Sequence, residues 1–271
     1  MFLSSFSVTS LSYISQRASL LWYYTLGIIG LRSDDIILTS FPKSGNTWIR
    51  FFFCNLISLR EWDGQTVTFP KLDATMPELG VSNLLQSWPH ETIPRVVKTH
   101  KPHWLFFRGG RSILLVRDPR DVMVSYYHFE RDKARNTFEG EFSTFIRHPK
   151  YGLEAWCKHY QSWKDKATIC LRYEELKEDD VAEFTRMLDA VGLDVQRDVV
   201  QQAVQRSRFE KVREVEKKHN VRSSGDYFKE GKRFTRKGRT GEWEDYFDNQ
   251  DLEYYRRIMD AYSIQKYREH D

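Results

Sequence analysis

The chain predicts an α/β fold, a single domain with a mostly parallel central sheet flanked by helices, and three observations carry that expectation. Short apolar or β-branched runs lie within Ile36–Thr39, Arg95–His100, Ser112–Val116 and Ala167–Tyr173, and they read as buried strands. Segments with apolar residues every three or four positions fall between them, as βαβ units require. The 271 residues, 40% of them hydrophobic, are enough for one large core.

Taken in order, Ala18–Leu31 (ASLLWYYTLGIIGL) is uncharged and apolar between Arg17 and Arg32. A bilayer span takes about 20 residues, so this stretch is too short to cross one. It reads as a separate apolar N-terminal segment (residues 1–32), a buried or interfacial helix. A peripheral contact with a membrane surface is the second reading, and a targeting segment is the third. The domain proper is residues 33–271.

Ile36 to Trp48 (IILTSFPKSGNTW) is the organising stretch: a strand, a short turn with one glycine, then a helix periodic through Trp48, Ile49, Phe52, Phe53 and Leu56. Such a turn aims backbone N–H groups and the positive helix end at one point, which suits a phosphate. Lys43 adds a cation, and Ser44 and Thr47 add hydroxyls. The turn departs from the Gly-x-x-x-x-Gly-Lys-[Ser/Thr] signature of nucleoside-triphosphate loops, because Lys43 precedes the only glycine, Gly45, by two residues.

Glu61–Pro94 has no sustained period and holds four prolines, and it reads as a long loop forming a lid or binding wall. In the strand that follows, Lys98 and His100 point to one face. Ligands of open α/β sheets sit at the carboxyl ends of strands, so this pair belongs beside the first turn. Ser112–Pro119 predicts a third strand, with Asp118 as a helix cap and Pro119 at the first helical position. Arg117 at the strand end can grip a phosphate by two hydrogen bonds or pair with Asp118 or Asp121; Ser125 can donate another. Helices are predicted over Leu153–Trp163, Val181–Val191, Val195–Val204 and Leu252–Tyr262. Between the last two, Lys217–Gly241 is basic and aperiodic, with Arg236-Lys237-Gly238 and Gly241-Glu242-Trp243 at its end.

The net charge of +4 suits an anionic ligand but is too small, and its basic run too short, to suggest nucleic acid. Cys54, Cys157 and Cys170 lack metal or redox spacing. All three read as core residues, and a reducing, cytoplasmic setting follows, with membrane association as the variant.

Four segments in order resemble the soluble, cytosolic type of sulfotransferase that uses 3′-phosphoadenosine 5′-phosphosulfate (PAPS). They are Phe41–Trp48, Lys98-Thr99-His100, Arg117–Tyr127 and Arg236-Lys237-Gly238 through Gly241-Glu242-Trp243. The resemblance implies a fold like that of the P-loop nucleotide hydrolases. It also implies that Lys43, Ser44, Gly45, Asn46 and Thr47 cradle the 5′-phosphosulfate and that Trp48 packs on the adenine. Arg117, Ser125, Arg236, Lys237 and Gly238 would hold the 3′-phosphate. Tyr173, Ser207 and Phe209 would complete the adenine site. His100 would be the base, with Lys98 and Lys43 stabilising charge, and PAPS would be the co-substrate with no metal. Asn46 stands where many members have Thr, and the C-terminal segment lacks the dimer motif of animal members, which leaves the oligomeric state open.

A P-loop kinase, with Asp118 holding a metal, is the rival enzyme class, and a non-catalytic nucleotide-binding protein is a third reading. The acceptor side is expected to be apolar. Trp62, Phe69, Trp88, Trp104, Phe106, Phe107 and Phe138 are candidate walls for a phenol, a sterol-like or a lipid alcohol, and a carbohydrate comes second.

Overall fold

Ile36 to Ser40 form β1, buried along its whole length because both its faces are covered. It lies at the centre of a four-stranded sheet ordered β2-β1-β3-β4, where β2 is Val96–Thr99, β3 is Arg111–Val116 and β4 is Ile169–Arg172. All pairings are parallel, as the alternation of strands and helices requires. The computed structural model describes residue 22 and residues 25–107, 110–219, 227–232 and 234–265.

The helices are α1 (Asn46–Glu61), α2 (Phe69–Thr75), α3 (Pro119–Asp132), α4 (Phe142–Ile146), α5 (Leu153–Trp163), α6 (Tyr173–Glu178), α7 (Asp180–Ala190), α8 (Arg197–Ser207), α9 (Phe209–Lys218) and α10 (Asn249–Ala261). Alternation along each strand splits the core in two. Ile36, Leu38, Ile113, Leu115, Ile169 and Leu171 meet α1, α7 and α8 on one face. Ile37, Val97, Leu114 and Val116 meet α3, α5 and α10 on the other. Phe51, Phe52 and Phe53 are all essentially inaccessible to solvent, so α1 is packed on nearly every side. At roughly 1.5–3 kcal/mol per buried side chain, this helix is among the best anchored parts of the molecule, and its N-terminus carries the phosphate-type turn.

Register decides what meets at the sheet's carboxyl edge. Thr39 pairs with Thr99, which puts position 40 beside position 100. Val116 pairs with Arg172, which puts Arg117 beside Tyr173. Below that edge, Arg95 and Asp35 form a buried bidentate pair (2.8 and 2.7 Å), and Arg95 also donates to the carbonyls of Leu84 and Gly30. These bonds satisfy most of the guanidinium's donors, as burial demands.

Four short helices depart from the expectation, one of them α6, which begins at Tyr173 where the sequence reads the end of a strand. The stretch read as a loop contains α2, capped by Thr68 with Pro70 in its first turn. α4 spans only five residues, too few for a period to register. α9 opens directly after Arg208, inside the segment that carries Ser207 and Phe209. Cys54 and Cys157 are buried as expected, but Cys170 is exposed. It lies on the edge strand and points away from the face that holds Ile169 and Leu171.

Residue 22 and residues 25–30 are helical, whereas 18–21, 23 and 24 of the apolar stretch lie outside the described residues. Gly27 and Gly30 lie against Leu79 and Leu84, so closely that an added Cβ would come within 2.7 and 2.5 Å. Ile29 and Trp22 are exposed on the outer side. No helix among the described residues is long and apolar enough to cross a membrane.

Candidate active site

The turn after β1 is held in an unusual backbone shape. Lys43 has φ 69° and Gly45 has φ 104°, both in the left-handed region. Gly45 has a second constraint: a Cβ there would stand 2.7 Å from the Tyr173 ring. The turn delivers Asn46 and Thr47 as the first residues of α1, whose leading N–H groups lack helical acceptors by geometry. Asn46 donates to Ser40 Oγ at 3.2 Å. Ser44 Oγ, Asn46 Oδ1 and Trp48 Nε1 are buried without a protein partner.

Lys43 bends over two aromatic faces, its Nζ 4.5 Å from the Phe129 ring centre and 4.2 Å from that of Phe234. Burial, followed by the nearby Arg117 and Arg236 charges, lowers its pKa to about 7, against an upward pull from Glu216.

His100 follows β2, and its Nδ1 lies 2.7 Å from the Ser40 carbonyl oxygen. A carbonyl only accepts, so Nδ1 carries the proton and Nε2 keeps its lone pair. Desolvation first, then the Lys98 charge, lowers the His100 pKa to about 4 despite the opposing Glu78. The imidazole is therefore neutral at neutral pH. Lys98 donates to Glu78 at 2.8 Å. Glu78 is presented by a single bridge to the edge of β2, where Lys98 N donates to the Pro77 carbonyl.

Arg117 leaves the end of β3 and lays its guanidinium 4.5 Å from the Tyr173 ring centre. It donates to the Arg239 carbonyl at 2.7 Å and stands 3.6 Å from Asp121, so the alternative pairing with Asp121 is realised. Asp121 also accepts from the N–H groups of Gly241 and Trp243 and so ties the basic loop to α3. Within that loop Arg236 makes a bidentate pair with Glu242, and Lys237 reaches the same carboxylate at 2.8 Å. Burial pushes the Glu242 carboxyl up, but the hydrogen bonds from Arg236 and Lys237 outweigh it and hold the pKa at about 2. Arg117 Nε and Arg236 Nε are buried and unpartnered. Gly238, at φ 65°, packs so near Phe209 that a Cβ would stand 2.8 Å from the ring.

One cleft of about 590 Å³ is lined by Lys43, Gly45, Asn46, Thr47, Trp48, Lys98, His100, Arg117, Ser125, Tyr173, Ser207, Phe209, Arg236, Lys237 and Gly238, whereas Ser44 is fully buried behind the turn and is not among the lining residues. Ser207 is fully buried and its hydroxyl already donates to the Ala203 carbonyl at 2.6 Å. The seven candidate acceptor walls are not among the lining residues. Trp62 and Trp88 pack edge-on against His90, Phe107 packs against Trp163, and the rings that line the cleft are Trp48, Tyr126, Phe129, Tyr173, Phe209 and Phe234. Abundance of rings in a loop does not specify which way they face. Asp118, the metal-binding acid of the kinase reading, is engaged by the Arg120 backbone and guanidinium. Among the described residues, no group of three His, Cys, Asp or Glu could hold a metal ion.

Glu78, Glu216 and Glu242 are charged neighbours of these groups to which the sequence reading gave no role. Only Glu242 carried a signal, as an acid set between the glycine and tryptophan of a basic loop.

The unpartnered atoms fit an anionic nucleotide: hydroxyl and amide groups at the turn, guanidinium nitrogens at the far side, and two glycines where a side chain would fill the space. The family model described as the sulfotransferase domain matches residues 33–270. Sulfotransferase 1C2 of Homo sapiens is 30% identical over 261 residues, covering 86% of this chain and 86% of its own length. Sulfotransferase 1B1 of Canis lupus familiaris is 29% identical over 236 residues, 80% of this chain and 79% of its own. Mouse sulfotransferase SULT7A1, solved in complex with PAP, shares the fold with a TM-score of 0.67 at 21% identity, over 89% of this chain and 90% of that one.

Proposed function

The chain belongs to the sulfotransferase family, and we propose that its cleft binds PAPS and passes the sulfonyl group to the hydroxyl of an apolar acceptor, with His100 as the base. The observation that carries this reading is the meeting of two cationic groups in one cleft, Lys43 at the α1 turn and Arg117, Arg236 and Lys237 opposite. They suit a nucleotide with phosphate at both its 5′ and 3′ ends, and a kinase has no 3′-phosphate to hold.

PAPS, when bound, supplies an activated sulfonyl group. Ser44, Asn46 and Thr47, with the α1 N–H groups, hold its 5′ end, and Trp48 and Tyr173 wall the adenine. His100 Nε2 accepts the acceptor's proton as the new O–S bond forms. Lys43 and the turn N–H groups stabilise charge on the departing phosphate oxygen. Lys98, anchored by Glu78, adds positive charge next to the reacting oxygen.

Tyr126, Phe129 and Phe234 favour a phenol or an apolar alcohol over a glycan. Retinol dehydratase, a structural neighbour with a TM-score of 0.66, was solved in complex with androsterone and PAP, which fits the same class. Turnover of PAPS against phenols, sterols, aliphatic alcohols and glycans tests the reading; transfer to glycans alone would reverse the choice of acceptor. Tight, Mg²⁺-dependent ATP binding with no affinity for adenosine 3′,5′-bisphosphate would replace the enzyme class. We propose too that Trp22 and Ile29, with Val81 and Leu85, meet a membrane surface, since all four are exposed apolar groups. Loss of vesicle co-sedimentation in Ile29→Ser is the expected outcome, and unchanged sedimentation would reject it.

A further inference from the structure

Glu216, on α9, lies outside every motif that marks the site, yet its carboxylate is bound on three sides. One oxygen accepts the Phe234 N–H at 2.7 Å. The other accepts the Thr235 N–H at 3.0 Å and the Thr235 hydroxyl. Both of those residues line the cleft. Phe234 is one of the two rings under Lys43 Nζ, and Thr235 is followed directly by Arg236, which reaches into the cleft opposite. A carboxylate taking two adjacent backbone N–H groups fixes that stretch of main chain, and charge-assisted bonds of this kind are about twice as strong as neutral ones.

We propose that Glu216 is the positioning residue that sets both ends of the donor site at once, through Phe234 to Lys43 and through Thr235 to Arg236. The inference rests on the nucleotide reading above and adds a residue to it. Glu216 acts a second way as well. The groups around Lys43 are Arg117, Arg236 and Lys98, all cationic, and Glu216 is the anion that opposes them. Neutralising Glu216 therefore lets the Lys43 ammonium lose its proton at lower pH.

The test titrates adenosine 3′,5′-bisphosphate into the full chain by calorimetry between pH 6 and 9, for wild type, Glu216→Gln and Thr235→Val, with thermal melting as the folding control. Glu216→Gln should bind at least tenfold more weakly at pH 7, and the alkaline loss of binding should move to lower pH. In turnover assays the KM for PAPS should rise more than kcat falls. Thr235→Val keeps both backbone bonds and should lose about threefold. Should Glu216→Gln melt below the assay temperature, Thr235→Val decides alone. Wild-type affinity in the variants, or weaker binding with an unmoved alkaline limb, would overturn the positioning role. Wild-type protein that fails to bind the nucleotide would overturn the functional reading, and this inference with it.

Discussion

His100 Nδ1 and the Ser40 carbonyl oxygen are 2.7 Å apart, across the ends of two adjacent parallel strands. This one bond orients the ring, sets its tautomer and turns the basic nitrogen toward the cleft. His100→Ala should abolish turnover while adenosine 3′,5′-bisphosphate affinity stays within about threefold, because removing a general base typically costs 10²–10⁴ in rate and this ring is not a phosphate contact. Steady-state kinetics beside calorimetry would show it, and near-normal turnover would remove His100 from the mechanism.

The pH profile should be displaced to the acid side. A lowered histidine pKa means that the neutral, competent form persists as pH falls, until it is lost near pH 4. At pH 5.5 an ordinary histidine with a pKa of 6.5 would leave about a tenth of the activity, whereas this enzyme should keep most of it. On the other side, Lys43 titrates near 7 in the free protein. Binding of the donor should therefore weaken as pH rises past that value, and kcat/KM for PAPS should form a bell with limbs near 4 and 7.

Glu78 raises the His100 pKa through space and holds Lys98 at 2.8 Å. Glu78→Gln should move the acid limb to still lower pH, since an anion that favours imidazolium is gone. It should also cut kcat several-fold as Lys98 loses its anchor. A rate profile recorded from pH 4 to 8 distinguishes this from a simple loss of folded protein, which would lower the whole curve without shifting it.

Arg236→Ala should cost adenosine 3′,5′-bisphosphate about 10- to 100-fold in affinity and adenosine 5′-phosphate less than threefold, the difference being one charge-assisted phosphate contact. Equal losses would contradict the 3′ assignment. The substitution also leaves Glu242, only 3% exposed, with Lys237 as its remaining partner in the loop, so a small drop in melting temperature should accompany it.

Gly45→Ala should be among the most damaging small substitutions. The backbone there has φ 104°, and the new methyl would meet the Tyr173 ring at 2.7 Å. Left-handed strain alone costs about 1–3 kcal/mol, and the clash adds to it. Thermal melting and nucleotide titration should both register the change.

The strands and long helices were legible because burial on both faces imposes runs and periods that a sequence displays. So were Lys43, His100, Arg117 and Arg236, which occupy strand ends, turns or a glycine-bounded loop. The carboxylates around the cleft were not. Glu78 meets Lys98 across 20 positions, and Glu216 meets Phe234 and Thr235 across 18 and 19. Nothing in the local pattern marks such partners. Short helices escaped for a related reason: α4 is shorter than two turns and α2 is announced only by Thr68 and Pro70. The acceptor rings were misplaced because loop aromatics have no period to give their direction.

The pairing of Thr39 with Thr99 has a kinetic corollary. Side chains alternate between faces along a strand, so sliding β2 by a single position would turn Lys98 and His100 toward the wrong layer. A misregistered sheet could thus regain much of its secondary structure while remaining inert. During refolding from denaturant, catalytic activity should return later than far-ultraviolet ellipticity, timed by the moment the edge strand locks against its neighbour.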